Sequence, residues 1–421
     1  MMYESEGNNL SILAEFTALA GSLQGSNLNE DVRLKASAVT RSLLSALELP
    51  FERIMQDVVM NPPTLMAIRM GVQLEIFTQV SQNPEGITLQ TIVEKTGASP
   101  ILVDHQTAKD NIICADNMIS PQSPDSAASM CCRVCQAARC TDIQALSFDY
   151  GNGRSNGGSN NLSLNKLVLI LETSAPPKLQ SSFAKNNNHV LSSVKDTPFQ
   201  LGCNTEFSYF EWLGKNPDLA RDFHQWMTLK QNATPSWLDW FDIENHLAED
   251  FNAEASDVLF VDVGGGEGQY VQGLKEKFPD APGRLILQDL PQVISAVDSP
   301  PTSVELASHD FFTAQPIKDA RAYFMHWTLH DWPDEQFQSI LRHIVDVMEP
   351  EYSNLIIHET IIPDTNCDLP SACMSVMMII QVAGFERSEK QWRELLESVG
   401  LSKVVFHQPP ISGEGIIEAM K

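Results

Sequence analysis

The chain has 421 residues, 43% of them hydrophobic, and sets 28 Lys and Arg against 54 Asp and Glu for a formal net charge of −26. A surface that acidic repels phosphate backbones, and no run of four basic residues offers a local exception, so nucleic acid is disfavoured as a partner. No uninterrupted apolar stretch of about 18 residues could span a membrane, the acidic start does not resemble a signal peptide, and eight cysteines in so long a chain do not suggest a disulfide framework; a cytoplasmic location is expected.

Leu10, Leu13, Phe16, Leu19, Ala20 and Leu23 recur at helical spacing, and Leu34, Ala38, Leu44 and Leu47 do so after a polar break. Pro50 and the pair Pro62 and Pro63 punctuate, and a new helix is predicted from Thr64 through Leu65, Ile68, Met70, Leu74 and Phe77. Thr88 is placed to cap a short helix over residues 89–96, and Ser99 with Pro100 to start another. Two helices about a Gly turn make a helix-turn-helix element. Its second helix has no Arg or Lys before Lys109, so packing or dimerisation is expected rather than DNA reading.

Residues 105–175 break the pattern. They hold Cys114, Cys131, Cys132, Cys135 and Cys140, then a low-complexity Asn/Gly/Ser run over 152–161. The C-x2-C-x4-C spacing lacks paired His or a second C-x2-C, which argues against zinc. Helical order is expected again from Phe207 through Trp212, Leu219, Phe223, Met227 and Trp237. From Asp257 the character changes to strands alternating with helices. Apolar runs over 258–263, 284–288, 322–325 and 354–358, with helices after the first and over 334–348, predict a parallel doubly wound α/β sheet.

Gly264, Gly266 and Gly268 lie directly between a strand and a helix, where a chain without Cβ atoms lets a ligand approach the backbone. Gln269 stands where a dinucleotide fingerprint would carry its last Gly. Asp262 aims a carboxylate at the turn, suited to an ammonium group, and Asp289 ends the next strand, where it can accept from two ribose hydroxyls. Together these favour S-adenosyl-L-methionine over NAD; a ligand-free tight turn is the bland alternative. A second constellation, His326 to Trp332, follows a strand at the ligand-facing sheet edge, with Glu359 and Glu386 further on. A neutral imidazole can take a phenolic proton while carboxylates orient it. Spacing alone leaves a structural role for these His residues equally open.

These motifs resemble those of the metal-independent plant caffeic-acid-type and fungal secondary-metabolite O-methyltransferases. The segment 261–268, VDVGGGEG, looks like the family's glycine motif. Asp289 with Leu290 is similar to its ribose-binding segment, and Asp310 with Phe311 to its adenine-end segment. His330 in LHDW matches the general base, and Glu359 and Glu386 match the flanking glutamates. His326 takes a cofactor-contacting position that usually carries Lys or Arg. The resemblance implies an α/β Rossmann-like methyltransferase domain over 206–421. It also implies a mostly helical, winged-helix-like dimerisation domain over 1–205, and a homodimer. By the same resemblance Phe223, Met227, Met377 and Gln381 line the pocket of a small aromatic hydroxylated substrate, although plain helix core explains Phe223 and Met227 equally well. The implied reaction is methylation of a hydroxyl with His330 as base and no metal, since no clustered metal ligands stand out in the catalytic half. Rival readings are an impaired homologue acting as a scaffold, a nicotinamide-dependent dehydrogenase, disfavoured by Gln269, and a DNA-binding regulator, disfavoured by charge.

Overall fold

The computed structural model describes residues 192–233, 236–243, 246–247, 251–297, 303–363, 367–409 and 414–421, with short pieces at 39–40, 75–76, 79, 82–83 and 89–97. Apart from residues 39–40, the expected helices over 10–60 lie outside these residues, as do the second helix of the helix-turn-helix and the cysteine-rich segment. The first helix of that element forms as expected, α1 (Leu89–Thr96).

Before the sheet come α2 (Pro198–Cys203), α3 (Tyr209–Lys215) and α4 (Pro217–Ala233). Ser208 starts α3 through a capping box with Glu211, which satisfies donors that an open helix end would leave unpaired. Seven strands then form one sheet: β1 (Val258–Val263), β2 (Arg284–Asp289), β3 (Val304–Ser308), β4 (Ala322–His326), β5 (Asn354–Glu359), β8 (Ser402–His407) and β9 (Gly415–Met420). They lie side by side in the order β3-β2-β1-β4-β5-β9-β8, while β6 (Ile361–Ile362) and β7 (Arg387–Ser388) make a small separate pair. Strands β1 and β5 are buried along their whole length, because helices cover both sheet faces, which is why they read as unbroken apolar runs.

One face carries α7 (Asp334–Val345) and α9 (Glu389–Ser398). In α7, Phe337, Ile340, Leu341 and Ile344 form the inward stripe, Asp334 and Glu335 open the helix and Arg342 and His343 close it, complementing its dipole. These helices share one core with Val261, Tyr323, Leu355 and Trp392. The other face packs α5 (Gln269–Lys277) with Trp237, Leu238, Phe241, Ile243 and Leu247 against Phe260, Phe324 and Ile356. Two further helices complete the set, the short α6 (Pro291–Ile294) and, before β7, the longer α8 (Leu369–Val382).

The sheet departs from an all-parallel expectation at one edge. β9 runs antiparallel to both β5 and β8, so the last two strands return as a hairpin and close the core with Ile416, Ile417 and Ala419. The strand order reverses between β1 and β4, and the crevice beyond their C-terminal ends is where such sheets bind ligands. Among the described residues no helix is long and apolar enough to cross a membrane.

Candidate active site

The turn after β1 holds Gly264, Gly266 and Gly268 at φ +73°, +60° and +86°, left-handed values that a side chain rarely tolerates. Asp262 lies below it, 1% exposed, and neither carboxylate oxygen accepts a hydrogen bond of normal geometry. Burial pushes its pKa up to about 7; the nearby Val271 N–H offsets this in part, and the Asp289 charge adds to it. Asp289 closes the turn from β2: its Oδ2 accepts the Gly266 N–H at 2.8 Å and its Oδ1 the Leu290 N–H at 2.7 Å. Each oxygen keeps acceptor capacity beyond these bonds. Phe311 flanks the same turn, since a Cβ on Gly264 would lie 3.4 Å from its ring and 3.3 Å from Thr328 Oγ1. Asp310 is exposed, and its Oδ1 accepts the Phe312 N–H in a local turn.

Two residues beyond Thr328 is His330, on a single 3-10 turn over Leu329–Asp331. Its Nδ1 is 3.0 Å from Glu386 Oε1 and 3.5 Å from Glu359 Oε2. Glu359, at the end of β5, also ties down the backbone of this turn. Its Oε1 accepts the N–H groups of Thr328 and Leu329 at 3.0 Å each and that of His330 at 3.4 Å. Nε2 of His330 faces the other way and has Asp331 Oδ1 at 3.5 Å. Burial alone would depress the imidazole, but Glu359, Glu386 and Asp331 outweigh it and push His330 up to about 10. Burial raises Asp331 and Glu359 to about 7 each. The cluster therefore holds a proton on His330 at neutral pH.

The residues expected on the acceptor side lie among the helices that precede the sheet and on α8. Phe223 and Met377 pack beside one aromatic and aliphatic cluster of Phe199, Tyr209, Leu213, Met378 and Val382, so both also serve the packing of the helices. Met227 is half-buried on α4, and Gln381 is buried near the end of α8, its backbone carbonyl accepting Thr197 Oγ1 at 3.3 Å. Helix α3 meets the segment that follows the His330 turn, where Phe210 stacks on Trp332 at 6.4 Å.

Sequence reasoning missed several residues. Arg387, fully buried, donates to the backbone oxygens of Leu329 and Trp332 and to Asp334 Oδ1 at 2.7 Å, clamping the His330 segment from behind. Its position directly after Glu386 was the available signal. Gly384 runs so close to this segment that a Cβ would fall on the His330 carbonyl oxygen. The expectation that the catalytic half lacks clustered metal-ligating residues does not hold either. His326, His358 and Glu414 bring their ligating atoms within 4.8 Å of one another, a set hidden in sequence because it comes from three different strand ends. His326 Nε2 is 2.9 Å from Tyr270 OH and 3.0 Å from Glu414 Oε2, and the Lys230 ammonium takes the other Glu414 oxygen. Burial opposes the ionisation of Glu414, yet Lys230, His326 and His358 hold it well below the usual carboxylate range. An ammonium already in place makes this an ion-pair network in its present form.

Comparison with known proteins agrees with this geometry. Residues 208–402 match the model of an O-methyltransferase domain. A demethylsterigmatocystin 6-O-methyltransferase of Aspergillus parasiticus is 33% identical over 351 residues, 82% of this chain and 83% of the relative. The O-methyltransferase mpaG of Penicillium brevicompactum is 28% identical across 97% of this chain and 98% of its own. Among solved structures, OxaC in complex with sinefungin and meleagrin superposes with a TM-score of 0.58 at 19% identity, covering 98% of each chain. LepI in complex with SAM does so with a TM-score of 0.55 at 24% identity, covering 98% of this chain and all of that one; both likenesses concern the fold. The chain belongs to the O-methyltransferase family.

Proposed function

We propose that the enzyme methylates a phenolic hydroxyl of a small secondary metabolite, using S-adenosyl-L-methionine. One juxtaposition carries the reading: the His330–Glu386 pair, 3.0 Å apart, lies two residues from Thr328, which touches the glycine turn. The residues present fit the cofactor. Asp262 offers a buried carboxylate without a full hydrogen bond to an ammonium group, Asp289 has lone pairs for ribose hydroxyls, and Phe311, next to the exposed Asp310, flanks the turn where an adenine would lie. When bound, the cofactor supplies a sulfonium methyl group.

The chain's own contribution is to hold the acceptor oxygen in line and to take its proton. When the ring is neutral, Nδ1–H of His330 donates to Glu386, which leaves Nε2 as the basic atom. A phenol has a pKa of about 10, like tyrosine, and His330 stands at about 10 as well. Proton transfer to the neutral ring is therefore close to thermoneutral, and because the ring is mostly protonated at neutral pH, turnover should rise as pH approaches that value. The same carboxylates that raise His330 stabilise the imidazolium that transfer leaves. The relative that methylates demethylsterigmatocystin on an oxygen supports a hydroxylated polyfunctional metabolite as acceptor. We further propose that residues 1–205 form a helical dimerisation domain, residues 206–421 the catalytic domain, and that the enzyme is a cytoplasmic homodimer. The scaffold alternative gains no support from a site that keeps its base and both glutamates in contact.

The test is incubation with isotope-labelled S-adenosyl-L-methionine and a panel of phenols, read by mass. Methylated product from wild type, and none from His330→Ala with cofactor affinity retained in calorimetry, is the expected outcome. Wild-type turnover in His330→Ala removes the assignment.

A further inference from the structure

Behind the His330 segment lies a group of residues that the methyl transfer leaves unused. Lys230 follows Phe223 and Met227 along one face of α4, at helical spacing i, i+4, i+7. Its ammonium meets Glu414 Oε1 at 2.5 Å, with side-chain exposures of only 12% and 15%. It also covers the face of the Trp327 indole. The second Glu414 oxygen reaches His326, and His326 reaches Tyr270, two residues beyond Gly268 of the glycine turn.

Trp327 links this network to the reaction centre. Its φ is +45°, a left-handed backbone that a bulky residue keeps only where its surroundings enforce it. Its indole N–H is buried without a partner, a second cost that packing must offset. The indole is parallel to His326, at 5.6 Å and 8°, and leans on the His330 ring at 5.5 Å. The next peptide N–H, of Thr328, is the first of the donors held by Glu359. Where the indole sits thus decides how the His330 segment meets its carboxylates.

We propose that Lys230 is a positioning residue for His330: its ion pair with Glu414 clamps Trp327 in the left-handed conformation, and Trp327 holds the base in place beside the glycine turn. The clamp joins helix α4 to the start of β9, 184 residues apart, so the base is fully positioned only when α4 is seated on the sheet. The inference rests on the base role of His330 proposed above.

Lys230→Met, Lys230→Arg, Glu414→Gln and the Met/Gln double variant test it, with the phenol that wild type methylates. Lys230→Met should lower kcat by about 30-fold or more, in line with a small misplacement of a reacting group. KM for either substrate should change by less than about threefold, and Arg, which keeps the charge, should recover kcat to within about fivefold. The double variant should be no slower than the slower single one, because both remove one clamp. In the cofactor-free proteins, amide exchange over 326–332 should quicken in Lys230→Met and Glu414→Gln and stay unchanged in β1 and β2. A near-wild-type kcat, an effect on acceptor KM alone, or additive losses overturns the proposal. If Lys230→Met does not fold, Glu414→Gln and Lys230→Arg carry the same comparison, and unchanged exchange over 326–332 in Glu414→Gln refutes it. Failure of wild type to methylate any phenol strikes the reaction reading instead, and the exchange measurement still decides the clamp.

Discussion

Asp262→Asn sets stability against binding, and the structure supplies the magnitude. The carboxyl is raised from 3.8 to about 7, chiefly by burial. Its folded-state pKa exceeds its unfolded value, so the fold bears no penalty below about pH 4, a growing one up to about pH 7, and a constant one above. Three units at about 1.4 kcal/mol each give about 4 kcal/mol at full ionisation, and about 1.5 kcal/mol at pH 5. An amide at this place has no charge to bury. It brings unsatisfied polar atoms of its own, costing about 1–3 kcal/mol whatever the pH, so the diagnostic is the difference between two pH values. Thermal unfolding of the cofactor-free proteins is the assay. The gain of Asp262→Asn over wild type should be larger at about pH 8 than at about pH 5 by about 2–3 kcal/mol, or several degrees in Tm for a domain of about 200 residues. Calorimetry on the same protein should show S-adenosyl-L-methionine bound at least about tenfold more weakly, as one lost charge-assisted contact predicts. A stability difference that does not change with pH refutes the argument, because it means the carboxyl is neither buried nor ionised as described.

Two further variants probe the base. With His330 held at about 10, kcat/KM for the acceptor should climb with pH toward that value, and Glu386→Gln, which removes the charge 3.0 Å from Nδ1, should move the limb to lower pH by about 1–3 units; a limb left in place in a pH–rate series denies the coupling. Gly384→Ala should cost about 1–3 kcal/mol or more in thermal unfolding, since the methyl overlaps the His330 carbonyl, and at least about tenfold in turnover. Cofactor affinity measured by calorimetry should hardly change, because the glycine turn belongs to another strand.

Strands β1, β2, β4 and β5 were legible because a strand buried on both faces is an unbroken apolar run with no competing period. β3 is half-exposed, and β9 carries Glu418 in an apolar context, so neither stands out in sequence. The helix expected over 334–348 ends at Val345, three residues early. At the site, His330, Glu359 and Glu386 were legible because each follows a strand or a short motif in fixed order. The Lys230–Glu414 pair was not, because nothing in a one-dimensional pattern relates residues 184 apart. His326 was expected to serve the cofactor; its Nε2 lies beside Tyr270 OH and Glu414 Oε2, contacts between distant segments that the sequence did not announce.

The charge of −26 gains a different meaning at the sheet edge. Acids gather there in two conditions. Glu414 is held well below the ordinary carboxylate range, because Lys230 stands against it. Asp262, Asp331 and Glu359 are all held up at about 7, where burial outweighs what their neighbours supply. Lys230 meets Glu414, and the His330 ring lies 3.5 Å from both Asp331 and Glu359, whereas neither carboxylate oxygen of Asp262 has a hydrogen-bond partner of normal geometry. Burying such groups opposes folding, and under the proposed reading a ligand with a cationic ammonium would offset that cost at the glycine turn. The surplus of acids on the surface and the few acids at the site are thus separate features, and only the second carries chemistry.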